Sequence, residues 1–186
     1  MPLPAPDVGR KPLHTRRIVC EGFQRDDGLW EVDGWITDVK AYSFENADRG
    51  TITAGEQLHG MGLRMTVDDD FVIRNIEAVT DFAPFRACPS ITPNFKKLIG
   101  LKIVHGFTAK SRALMGGIEG CTHLVDLLGP IATTVLQTMT IRFRTQTKAL
   151  RESGASVKPM LLNSCHSWSS DGAVVKREYP DYYTGK

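Results

Sequence analysis

His59 carries the chemistry most open to reading in this chain. On a strand, Gln57, His59, Met61, Leu63, Met65 and Val67 share one face, while Gly60, Gly62, Arg64 and Thr66 share the other. An imidazole closing an otherwise apolar face is either a hydrogen-bonded core or rim histidine or a general base beside an apolar pocket. An ordinary pKa of about 6.5 suits the second role at neutral pH. Gly60 and Gly62 lack side chains, so a ligand or another backbone can come close to Arg64, a cation that equally suits a surface ion pair. In the preceding strand Asp38, Lys40 and Tyr42 share one face with Val32 and Ile36. A carboxylate, an ammonium and a phenol in that pattern can line a polar-ended pocket, and a solvated face is the plainer alternative.

Sulfur and imidazole come together twice, at Cys121-Thr122-His123 and at Cys165-His166. Two cysteines and two histidines can make a tetrahedral zinc set. Within a regular helix, however, Cys121 and His123 lie about 200° apart around the axis. They can share a ligand only if Cys121 precedes the first turn. Adjacent residues of an extended chain point to opposite faces, which separates Cys165 from His166, so no metal is expected. A helix N-terminus favours a thiolate and a neutral imidazole. Cys121 therefore reads as a reactive thiol or a small core hydrophobe, and His123 as a neutral base. Asp68-Asp69-Asp70 is too short for a calcium loop and lacks its closing glutamate.

These groups must be held by strands first and a helix later. Thr15–Phe23 and Leu29–Tyr42 are rich in β-formers around the turn residues Asp26-Asp27-Gly28. Asp33-Gly34 suggests a bulge or second turn, and Glu45–Gly55 a loop. Leu58–Val67 and Phe71–Thr80 flank the three aspartates and predict a hairpin over 58–80. Pro84, Pro89 and Pro93 break regular structure. Phe95–Leu98 can form one helical turn, and Leu101–Phe107 a strand or loop. Cys121, Leu124, Val125, Leu128, Ala132, Val135, Leu136 and Met139 recur at helical spacing, giving a long helix near 119–145 with an apolar stripe. Gly129-Pro130 inside it predicts a kink or a junction of two helices. The expected fold is α+β, an antiparallel meander packed on that helix. Residues 1–14 are read as a disordered tail and 15–186 as a single domain.

Composition narrows the function classes. Of 186 residues, 23 are lysine or arginine and 21 aspartate or glutamate, a net charge of +2 with the signs interspersed, so no nucleic-acid footprint is visible. No uninterrupted apolar run reaches the roughly 18 residues of a membrane span. The first residues lack the apolar core of a secretory signal, and the four cysteines fit no disulfide framework. A cytoplasmic location is expected. Neither GxGxxG nor GxxxxGK[ST] occurs, so no nucleotide cofactor is expected.

The blocks RDDGLWEVDGWITDVKAY (25–42), GEQLHGMGLRMTVD (55–68), GCTHLVDLLG (120–129) and NSCHSW (163–168) resemble the bacterial domain-of-unknown-function family 2889. The resemblance covers nearly all of the chain after the tail. It implies a link to bacterial catabolism of lignin-derived aromatic dimers, including cofactor-free release of a hydroxymethyl group as formaldehyde. The expectation is an acid–base lyase acting on a small aromatic molecule. Its candidate residues are His59, Asp38, Arg64, Tyr42, Lys40, His123 and Cys121, with no cofactor. A non-catalytic binding or assembly subunit, or a Cys/His metal-binding protein, is the alternative. Association into a homo-oligomer is compatible with either.

Overall fold

The structure, a computed structural model, describes residues 3–185. Its contacts divide the chain into two compact units, Met1–Met139 and Thr140–Lys186. The proline-rich start runs exposed and without regular structure to Leu13, its first two residues lying outside the described part.

In the first unit β1 (His14–Gln24), β2 (Trp30–Lys40), β5 (Gln57–Val67) and β6 (Ile73–Phe82) make an antiparallel sheet in the order β1-β2-β5-β6. The expected α+β architecture and the hairpin about the three aspartates are both present. The β5–β6 hairpin turns at Asp68, whose Oδ1 accepts the amides of Asp70 and Val72 at 2.9 Å each, the side-chain turn chemistry natural to aspartate. Three local expectations are corrected. β2 runs unbroken through Asp33-Gly34, and the irregularity against β5 falls instead between Asp38 and Val39. The segment expected as a loop contains a small hairpin, β3 (Phe44–Asn46) with β4 (Gly50–Ile52). The single turn expected near Phe95 is part of a 3-10 segment, Cys88–Leu98.

Helix α1 (Phe107–Met115) precedes α2 (Thr122–Thr138), which packs on β1, β2 and β5. Leu124, Leu127, Leu128, Ile131 and Val135 of α2 are buried, as are Val32, Ile36, Met61, Leu63 and Met65 of the sheet. Each such side chain contributes about 1.5–3 kcal/mol on leaving water. Helical structure continues through Pro130, and the interruption comes at Met139, where ψ is −1°, after which α3 (Thr140–Glu152) begins the second unit. The stretch Thr122–Leu150 is long and apolar enough to cross a membrane by length and composition; in this fold the apolar side of its α2 part is the one laid on the sheet. The second unit also holds α4 (Ala173–Glu178), with Val175 buried and the rings of Trp168 and Tyr179 5.8 Å apart.

Helix α2 can approach the sheet because glycine leaves room for it. A Cβ on Gly34 would stand 2.6 Å from both Cγ1 and Cδ1 of the fully buried Ile131. Gly34→Ala is therefore expected to lower unfolding stability in urea by about 1–3 kcal/mol. Gly9→Ala, at a position with nothing within 4 Å, should leave the midpoint unchanged; equal midpoints for all three proteins would show that α2 does not pack where described.

Candidate functional site

A row of side chains crosses the inner face of the sheet beneath the start of α2. In register, Arg16 of β1 stands opposite Asp38 of β2, and Asp38 opposite His59 of β5. Two residues of β2, Asp38 and Val39, face the span from His59 to Gln57, leaving Leu58 as the extra residue. Such bulges re-aim side chains; here Leu58 and His59 are both buried.

Asp38 is fully buried, and both of its oxygens are taken. Oδ1 accepts Arg16 Nε at 2.9 Å and lies 3.1 Å from His14 Nε2; Oδ2 accepts Arg16 Nη2 at 2.8 Å and lies 3.0 Å from His59 Nδ1. This is the two-pronged arginine–carboxylate pair whose planar geometry makes it strong. Burial alone works to raise the Asp38 pKa. The hydrogen bonds and charge of Arg16, with His59 and His14, outweigh it and hold the group at about 2. Arg16 spends its remaining nitrogen on Asp126 of α2, Nη1 to Oδ2 at 2.9 Å, which ties the helix to the sheet edge.

His123, in the first turn of α2, lies over His59 with ring centroids 3.7 Å apart and planes 30° from parallel. Its Nε2 is 3.8 Å from Asp38 Oδ2. Cys121 is the residue just before the helix, with φ −105° and ψ 128°. The one arrangement that lets Cys121 and His123 meet is thus realised: Sγ lies 3.7 Å from His123 Nδ1 and 3.8 Å from Met61 Sδ. Burial first, then the neighbouring His123, push the His59 pKa down to about 4 against the pull of Asp38. Burial also lowers His123, helped by the charge of Arg16. His123 keeps a quarter of its side chain exposed where His59 keeps a tenth, so the pair has an inner ring and an outer ring.

The structure brings four of the expected residues together: His59, Asp38, His123 and Cys121. Lys40 is two residues along β2 from Asp38, in register with His14. Tyr42 lies past the end of β2, exposed, its ring 5.9 Å from Lys40 Nζ. Arg64 does not join them. It sits on the opposite face, bound two-pronged to Asp33 at 2.7 and 2.6 Å. Cys165 and His166 belong to the second unit, where Cys165 is exposed and His166 opens a short 3-10 turn.

Arg16, His14 and Asp126 complete the site beyond the expected residues. A signal for the first was present. The turn at Asp26-Asp27-Gly28, centred on Asp27, puts Arg16 and Asp38 opposite each other, eleven residues to either side.

Asp38, His59 and His123 also each offer one ligand atom within 4.8 Å of the others. Two imidazoles and a carboxylate form a set that zinc or non-haem iron accepts. Yet the carboxylate already accepts at both oxygens, and a guanidinium sits 2.8 Å from the oxygen nearest both rings. A divalent cation there would meet a fixed positive charge in a low-dielectric site.

Neither the curated proteins nor the solved structures contain a match to the chain. A family model described as a protein of unknown function, DUF2889, matches residues 14–137. That span takes in the whole four-stranded sheet and all but the last residue of α2; the Asn163–Trp168 block lies beyond it. Every residue of the Arg16–Asp38–His59–His123 cluster is inside the matched segment, and the chain belongs to the DUF2889 family.

Proposed function

We propose that the chain is an acid–base enzyme in which His59 takes a proton from a small, largely uncharged substrate. Asp38 holds that ring in its working tautomer, and His123, stacked on it, keeps it from holding the proton it takes. One observation carries this reading: the buried contact of His59 Nδ1 with Asp38 Oδ2 at 3.0 Å, on a carboxylate already clamped by Arg16. A carboxylate ionised down to a pH of about 2 can only accept. The proton therefore belongs on Nδ1, and Nε2 keeps its lone pair. A ring titrating at about 4 is neutral at cellular pH, and so stands ready to accept. Two rings at 3.7 Å do not both carry charge, so a proton on the inner ring is readily given up.

Within this chemistry we place a lyase reaction, the release of formaldehyde from a hydroxymethyl group. His59 removes the hydroxyl proton of a primary alcohol, and the oxygen's electron pair becomes the second bond of formaldehyde. The carbon–carbon bond breaks, and its pair forms an alkene as the neighbouring benzylic hydroxyl leaves. The proton gained by the histidine pair is the one the departing hydroxyl needs to leave as water. The step is redox-neutral and its atoms balance. In this reading Lys40, two residues along β2 from Asp38, steadies a phenolate, and Arg64, on the other face, has no part in it. The 4.8 Å cluster of ligand atoms favours a second reading, a metal held by Asp38, His59 and His123.

His59→Gln keeps size and some hydrogen bonding but accepts no proton, and should lower the rate by about 10²- to 10⁴-fold. The assay is formaldehyde release from a dimeric lignin-type phenol bearing a primary alcohol, with circular dichroism to verify folding. A folded variant of full activity removes His59 from the chemistry. No release by the wild type across such alcohols moves the reading to a binding or assembly module.

The pH profile follows from the lowered His59 pKa. Only the neutral ring works, so kcat/KM should be flat from pH 7 to about 5.5 and fall through an apparent pKa of about 4. A reaction relying on an unshifted histidine would instead lose rate through about 6.5. Stability should share the direction. Between about 6.5 and 4 the unfolded chain binds a proton at this residue and the folded chain does not, so unfolding becomes easier as pH falls.

Chelation separates the two readings. Activity should survive exhaustive dialysis against a strong chelator. Loss of activity that zinc or iron(II) then restores would transfer the centre to the metal reading.

A further inference from the structure

We propose that two copies of this chain pair through β1, antiparallel about a two-fold axis at Val19, joining their sheets into one of eight strands. The sheet order leaves β1 and β6 as edges, and the chain treats them differently. At the β6 edge, Ile73 N donates to Leu101 O at 2.9 Å, Gly100 N to Ile73 O at 2.8 Å, and Ile103 N to Phe71 O at 2.9 Å, with a further bridge between Val72 and Lys102. The chain itself caps the start of that edge, where β6 leaves the hairpin. β1 has no such cover among the described residues of its own unit. It is eleven residues long, pairs with β2 without a register shift, and is exposed at every position but Cys20. It holds no proline and no bulge, two of the devices that commonly blunt a free edge, and its outward charges, Arg17 and Glu21, are of opposite sign.

Val19 is 55% exposed in the middle of this strand, with Ile18 at 39% and Phe23 at 45%. On the outer face the register carries on from Val19 through Trp35 and Gly62 to Val79. Trp35 and Val79 are themselves exposed, and the indole lies flat on Gly62, where a Cβ would meet it at 3.0–3.1 Å. This is an apolar row that ends at an open edge.

The occupant is a second copy because the strand is complementary to itself. A two-fold normal to the sheet keeps outer residues facing outer ones, so allowed registers differ by whole pleats. With the axis at Val19, Arg17 faces the partner's Glu21 and Glu21 faces the partner's Arg17. Val19 then faces the partner's Val19, and Thr15 the partner's Phe23. Moving the axis to Ile18 sets Arg17 against the partner's Val19; moving it to Cys20 sets Arg17 against the partner's Phe23. Only the Val19 register pairs both charges, and opposite charges directly across a ladder stabilise while mismatches do not. Such an isologous contact closes on itself as a dimer. Arg17 and Glu21 point away from the Asp38 site, so the assembly is separate from the chemistry proposed above.

Sedimentation equilibrium on the full chain tests this. The wild type should be a dimer at micromolar concentration. Arg17→Glu and Glu21→Arg should each weaken the dimer by about tenfold or more, and the two together should restore it. In a Cys165→Ser background, which removes the exposed thiol, Val19→Cys, mildly oxidised, should give a covalent dimer that the background chain does not. A monomeric wild type overturns the proposal, as does a dimer indifferent to both single reversals, or one whose Val19→Cys form fails to cross-link.

Discussion

A fully buried carboxylate is the constraint on which the rest of this structure depends. Removing the Asp38 charge from water costs several kcal/mol unless charge and hydrogen bonds replace the lost solvent. Arg16 supplies both, from the neighbouring strand and in the two-pronged geometry that uses both oxygens. This fixes the alignment of β1 on β2 in a way that apolar pairing alone would not. The guanidinium's third contact, on Asp126, extends the fixing to α2. One arginine thus holds edge strand, inner strand and helix together around a single charge. Replacing Asp38 by an apolar residue of like shape is compatible with a folded sheet, whereas replacing Arg16 alone strands a buried charge, the costlier change.

The same clamp decides what the histidines can be. An ionised Asp38 draws a proton to His59 and by itself raises its pKa, yet burial, the ring of His123 and the charge of Arg16 together push the other way and win. The result is a neutral ring with a determined tautomer, which neither burial nor a lone carboxylate would produce alone. His123 shares the field but stands nearer solvent. Its position depends on the helix starting at Thr122, because the extended residue before it leaves Cys121 free to turn its sulfur back toward the ring.

β1 shows how one strand serves two sides. Its inner residues His14 and Arg16 complete a buried polar site, while its outer residues Arg17, Val19 and Glu21 meet solvent. Alternation makes this possible: side chains two apart share a face, so neither set constrains the other. With little apolar surface of its own under cover, β1 is held by its ladder to β2 and by the ion pairs of Arg16.

Much of the fold was legible because its signals are local. Asp68 to Asp70 announced a turn, and the alternation on either side gave the hairpin without reference to the rest of the chain. His59, Met61, Leu63 and Met65 were assigned to one face by period alone, and all four are buried together. The Asp38–His59 contact was not legible in the same way. The sixteen residues from Ala41 to Glu56 join their strands, and a connection of that length sets no register; the bulge at Leu58 then moves it by one. Arg16 is the intermediate case. Its place opposite Asp38 follows from a tight turn, but two arginines in an edge strand look like solvent-facing charge unless a buried carboxylate is known to lie across from them. What decides between those readings is the burial of Asp38, and that arises only when α2, more than eighty residues further along the chain, is laid over the row.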